Sequence, residues 1–231
     1  MREPLVFLPG MMCDARLFAP QIADLSHARP ILVAPLIGAD SMAALAASVL
    51  KIAPPRFALA GLSMGGIVAM EVIRQAPERV TRLALLDTNP KADPPGKAPD
   101  RAAQVARVLD GGLLQVMREE VMPYYIASDD PTDPILDLCQ SMAEDLGPQV
   151  FAAQSHAVQT RPDQQESLGR VQVPTLVLCG AEDRMCPPAR HELMRDLIPG
   201  ARLAQIPEAG HLPTLETPEA VTRELAQWLN V

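Results

Sequence analysis

RFALAGLSMGGIVAMEVIRQ, residues 56–75, carries a short apolar run into Gly61, Ser63 and Gly65 and then into a helical pattern. A strand that turns at once into a helix brings its backbone so close to the next element that a Cβ at the tight positions would collide. Glycines two residues before and two residues after the serine meet that need. The turn lifts the Ser63 hydroxyl out of the sheet edge at a helix N-terminus. Such a serine is either a helix cap or a nucleophile. What decides between them is whether the chain can bring a base and an orienting carboxylate to it.

Outward from this turn, the chain alternates apolar runs with longer helical patterns. LVFLPG, PILVAPL, RFALAG, RLALLDT, TLVLCG and RLAQIPE have strand character. Most are apolar at consecutive positions, the mark of parallel strands buried on both faces. Helices are expected near 15–26, 41–51, 65–76, 188–197 and 217–229. The rhythm predicts an α/β fold: a mostly parallel sheet of about six strands, helices on both faces, and a ligand beyond the carboxyl ends of the strands. Residues 89–170 break the rhythm. A Pro-rich linker, NPKADPPGKAPD, leads into helical patterns near 99–110, 112–122, 132–145 and 147–158 with no strand. The expected division is a core of residues 1–88 and 171–231, with 89–170 as a helical cap insertion over the strand ends.

Composition narrows the function classes. The chain has 231 residues, 48% hydrophobic and 21% charged, with a net charge of −8. That suits one globular core and disfavours nucleic acid or anionic lipid as partner. No run approaches a membrane span, and MREPLVFLPG reaches Pro and Gly too early for a signal sequence, so a cytoplasmic location is expected. The four cysteines, Cys13, Cys139, Cys179 and Cys186, form no C-x-x-C pair and suggest neither a zinc site nor a disulfide framework.

Four histidines are available as the base. His27 and His191 read as surface residues of a turn and a helix. His211 follows the last strand-like run, in a loop leading to the final helix, and so lies at a carboxyl strand end. It is the candidate base. For the orienting carboxylate, TLVLCGAEDRMCPP ends a strand with Glu182 and Asp183; Asp183 is the choice, and Asp87, at the end of RLALLD, is its rival.

With these motifs in the order Ser, Asp, His, the chain resembles the α/β-hydrolase superfamily from Leu5 onward. GLSMGG is similar to the family's nucleophile elbow, LVLCGAEDRMCPP to its acid loop and EAGHLPTLETPE to its histidine loop. The resemblance implies a serine hydrolase with Ser63 as nucleophile, His211 as base and Asp183 as orienter. It places the oxyanion hole at the backbone N–H groups of Met64 and, in the loop LPGMMCDARLF, of Met11. Pro9-Gly10 stands where many relatives have His-Gly, so a loop-bracing histidine is absent. The N-terminal strand pair of many relatives is absent too.

The expected substrate is a small to medium, largely apolar ester or thioester. Met11, Met12, Met64 and Met185 suggest a soft apolar pocket, with Tyr124, His156 and Arg161 as further candidates from the cap. No metal or organic cofactor is called for. Relatives with the same triad transfer acyl groups or cleave C–C bonds, and a capped pocket that only binds a small ligand is the reading from another class.

Overall fold

The computed structural model describes residues 2–230. Six strands, β1 (Leu5–Leu8), β2 (Ile31–Val33), β3 (Phe57–Leu62), β4 (Val80–Leu86), β5 (Thr175–Gly180) and β6 (Arg202–Ile206), form one sheet in the order β2-β1-β3-β4-β5-β6. Every neighbouring pair is parallel. The helices are α1 (Ala19–Leu25), α2 (Met42–Ile52), α3 (Met64–Gln75), α4 (Ala98–Arg107), α5 (Leu113–Val116), α6 (Pro134–Gln159), α7 (Gln165–Leu168), α8 (Pro188–Leu197), α9 (Pro213–Glu216) and α10 (Pro218–Asn230).

The consecutive apolar positions of the strands are buried on both faces. Leu5, Phe7, Ala58, Ala60, Leu62, Leu176 and Leu178 point into one core, which also takes Leu225 and Trp228 of α10. Val6, Leu8, Phe57, Leu59, Leu83, Leu85 and Val177 point into the other, against Met42 and Leu45 of α2, Val68 of α3 and Met194 of α8. Side chains alternate across a strand, so an unbroken apolar run can exist only where both sides are covered.

After β1 the chain builds β2 on one side and then crosses to β3 on the other. This reversal opens a crevice at the carboxyl ends of β1 and β3, where ligands bind in open α/β sheets. The loop after β1 and the turn carrying Ser63 face each other across it; a Cβ placed on Gly10 would lie 3.5 Å from the Ser63 Cβ.

Residues 89–170 are helical, as expected, and contain no strand. The pattern near 99–110 ends early: α4 stops at Arg107 and passes into a wide turn over Val108–Gly112, where Gly111 has φ 95°. α5 is correspondingly short and runs into a second wide turn, Met117–Val121. The two patterns near 132–145 and 147–158 join as α6, broken at Gly147 (φ 80°, ψ 173°) with Pro148 opening the second half. Proline at a helix start costs no hydrogen bond, which is why the helix resumes there.

Candidate active site

Ser63 occupies the turn between β3 and α3 with φ 55° and ψ −119°. A β-carbon is strained in that conformation, and the turn persists because its surroundings fix it. The Ser63 N–H donates to the Leu86 carbonyl (2.9 Å), and the Thr88 hydroxyl donates to the Ser63 carbonyl (2.7 Å). The glycines are obligatory: a Cβ on Gly61 would lie 2.2 Å from the Gly65 carbonyl oxygen, and one on Gly65 2.0 Å from that of Leu8.

The three residues expected to act together do converge. His211 Nε2 lies 2.9 Å from Ser63 Oγ, and His211 Nδ1 lies 2.9 Å from Asp183 Oδ2. The other Asp183 oxygen accepts from the Met185 and Cys186 N–H groups, both at 2.8 Å. Burial works against ionisation of Asp183, but the adjacent His211 and the two amides outweigh it and hold its carboxyl below the ordinary range. An ionised carboxylate only accepts, so the Nδ1 proton belongs to His211 and Nε2 is free to accept from Ser63. His211 and Asp183 are 1% and 3% exposed, whereas Ser63 is partly open to the cavity.

The histidine loop is fixed by contacts that its sequence did not announce. Glu216 of α9 accepts from the N–H groups of Gly210 (2.9 Å), Leu212 (3.1 Å) and Ala127 (2.7 Å), and the His211 N–H donates to the Tyr125 carbonyl (3.0 Å). The Tyr125 ring stacks at 6.2 Å from the imidazole. Glu216 lies five residues beyond His211, a spacing that carries meaning only once the short α9 is seen to turn back on the loop.

The rival carboxylate sits close by in a different state. Asp87 is fully buried at the end of β4, with Oδ1 accepting from the Gly180 N–H (2.8 Å) and Oδ2 without a partner. Burial first, and then the neighbouring Asp183 charge, push its carboxyl well above the ordinary range, opposite in direction to Asp183. The imidazole hydrogen bond goes to Asp183. Glu182 is exposed.

A cavity of about 560 Å³ opens over Ser63, within the range of small-molecule sites. Met11, Met64, Met185, Tyr124 and Arg161 line it as expected. Among the described residues the Met11 and Met64 N–H groups form no hydrogen bond, which leaves both free as donors at the cavity wall. Two expected lining residues are elsewhere. Met12 takes φ 55° and turns its side chain into the core, 1% exposed. On α6, Phe151, Ser155 and Val158 share the face toward the cavity; His156, one position on, is rotated away, and its Nδ1 lies 2.9 Å from the Asp40 carbonyl oxygen. The wall is also less apolar than expected, with Lys97, Arg101 and Arg190 on it beside Arg161.

His191 corrects the surface reading. It is 0% exposed, and its Nε2 accepts from the Thr88 N–H (3.0 Å), so it supports the same Thr88 that braces the elbow. An amphipathic helix gives no sign of which polar residue finds a buried amide to accept from. Burial lowers its pKa to about 4, despite the opposing pull of Asp183. An unfolded histidine titrates near 6.5, so between these values the unfolded chain binds the extra proton. The stabilisation is complete above about pH 6.5 and is lost as pH falls toward 4. Between pH 7 and 4.5 this one group is expected to remove roughly 2–3 kcal/mol. Urea unfolding at both pH values should show His191→Gln losing less stability than wild type by about that amount; equal losses would contradict the assignment.

Asp183, Cys186 and His211 offer ligand atoms within 4.8 Å of one another, the one such group among the described residues. Both His211 nitrogens and both Asp183 oxygens are already engaged, so the arrangement suits proton transfer better than metal ligation.

A family model described as the alpha/beta hydrolase family matches residues 5–224. The pimeloyl-[acyl-carrier protein] methyl ester esterase of Nitrosomonas europaea is 30% identical over 72% of this chain and 68% of its own length. That of Chromobacterium violaceum is 26% identical over 92% and 84%. Among solved structures, a thermophilic esterase from Thermogutta terrifontis superposes with a TM-score of 0.89 at 28% identity, covering 99% of this chain and 89% of the other.

Proposed function

The chain belongs to the alpha/beta hydrolase family, and we propose that it hydrolyses esters through an acyl-enzyme on Ser63. The observation that carries this reading is the continuous hydrogen-bonded line from Ser63 through His211 to Asp183. Ser63 Oγ attacks the ester carbonyl carbon while its proton passes to His211 Nε2. The imidazolium that forms is stabilised by the Asp183 carboxylate. Collapse of the tetrahedral intermediate breaks the bond to the alcohol, which takes the proton from Nε2. Water then repeats the sequence in reverse roles and frees the acid. The N–H groups of Met11 and Met64 receive the developing oxyanion.

Residues 89–170 are proposed to act as the cap. In support, Tyr124, Phe151, Ser155, Val158 and Arg161 of this segment supply one wall of the cavity. The substrate class is an acyl ester of small to medium length with a small alcohol. The relatives' methyl esterase names favour a small leaving group, and the cavity volume favours an acyl chain of several carbons. The charged outer wall accommodates a polar acyl terminus. A panel of p-nitrophenyl esters from acetate to laurate should give a maximum between butanoate and octanoate. Flat, near-background rates along the series would contradict the esterase reading of this pocket.

A further inference from the structure

We infer that Gln154 is a positioning residue for the oxyanion loop, so that the inserted helical segment assembles the oxyanion hole; this rests on the serine esterase reading above. The loop after β1 makes a four-residue turn in which the Cys13 N–H donates to the Gly10 carbonyl (3.2 Å). Its third residue, Met12, has φ 55°. Turns of this form normally have Gly or Asn at that place, because a side chain disfavours the left-handed region. The alternative turn, with an ordinary φ at the third position, flips the central peptide between Met11 and Met12.

Something must therefore hold that peptide, and Gln154 does. The Met12 N–H donates to Gln154 Oε1 (2.9 Å), and Gln154 Nε2 donates to the Leu36 carbonyl (2.9 Å). Gln154 is 1% exposed, and its partners lie 142 and 118 residues away in sequence. A neutral amide can accept from one backbone group and donate to another at the same buried point without a charge. It bridges the loops after β1 and β2 from the second half of α6. Further contacts bind the same loop to the same helix: the Asp14 N–H meets Met142 Sδ (3.4 Å), and Arg16 reaches Ser141 (3.1 Å) and Asp145 (2.7 Å).

Met11, whose N–H is the proposed donor, precedes the held peptide directly. A shift of the loop there carries the Met11 N–H with it, and the effect falls first on the developing oxyanion. Pro9-Gly10 brings no side chain to hold the Met11–Met12 peptide, and Gln154 supplies that hold from outside the loop.

The test compares wild type, Gln154→Met and Gln154→Glu with p-nitrophenyl butanoate as substrate and butylboronic acid as inhibitor, whose tetrahedral adduct places a hydroxyl where the oxyanion forms. Methionine keeps the length and loses both hydrogen bonds; glutamate keeps the acceptor for Met12. The expected result for Gln154→Met is a kcat loss on the order of 10²-fold with KM within about twofold. Boronate affinity should fall in parallel, and Gln154→Glu should recover part of the loss. A kcat within about twofold of wild type in Gln154→Met, or losses in both variants that simply follow the unfolded fraction seen by circular dichroism, overturns the proposal. Ser63→Ala assayed alongside separates the two readings. If it retains wild-type turnover, the serine mechanism fails; if it is inactive while Gln154→Met is unaffected, only the brace fails.

Discussion

Ser63→Ala is expected to lower kcat for ester hydrolysis by about 10⁴-fold or more while leaving the fold and substrate binding nearly unchanged. The elbow does not depend on the hydroxyl: its backbone is set by the Leu86 and Thr88 hydrogen bonds and by the close approach at Gly61 and Gly65. Alanine has the same Cβ in the same place, so the variant loses Oγ and little else. Residual turnover above the uncatalysed rate reflects the oxyanion donors acting on attacking water. Single-wavelength kinetics and a melting curve on the same sample decide the matter. A variant that melts with wild type yet keeps more than a tenth of its rate would remove Ser63 from the mechanism.

The second large effect is at Asp183. Asp183→Asn should reduce kcat by roughly 10⁴-fold at neutral pH, through the tautomer of His211 rather than through lost contact. The amide oxygen is directed to the Met185 and Cys186 N–H groups, which already claim one side of the carboxylate. The NH₂ group then faces Nδ1 of His211, which must accept and so loses its proton. Nε2 becomes the protonated nitrogen, and it cannot take the proton of Ser63. Asp87→Asn is the control: burial favours the uncharged form of that carboxyl, and asparagine still accepts from the Gly180 N–H. Its effect should stay within about tenfold, the scale of a displaced neighbour rather than a lost base. The opposite ranking, a severe Asp87→Asn and a mild Asp183→Asn, would transfer the orienting role to Asp87.

Much of this architecture is legible in the sequence because it rests on local constraints. Six apolar runs became six strands, since a run buried on both faces has few other ways to exist. The glycines around Ser63 are required by backbone distances of about 2 Å that any side chain would violate. Asp183 and His211 stand at strand ends, where a parallel sheet gathers its loops.

What was not legible depends on side-chain direction and on partners remote in sequence. His156 and Ser155 are adjacent, but the step of about 100° between neighbouring helix positions sends only Ser155 to the cavity. Met12 and Met11 look alike, yet the positive φ at Met12 parts them. Gln154 and Glu216 act on backbone amides of other segments, and neither sits in a pattern that marks it. His191 was hidden because nothing in a helix sequence shows that a distant Thr88 N–H will need an acceptor.

The central claim is that Ser63 is the covalent nucleophile, and the most direct measurement is the site of its modification. Wild type treated with an alkyl fluorophosphonate should gain the mass of one phosphonyl group, carried by the peptide containing Ser63. The reaction should stop every detectable turnover of p-nitrophenyl butanoate, and Ser63→Ala should gain no mass under the same conditions. A phosphonyl group found on another residue, or full activity in protein stoichiometrically labelled at Ser63, would contradict the account.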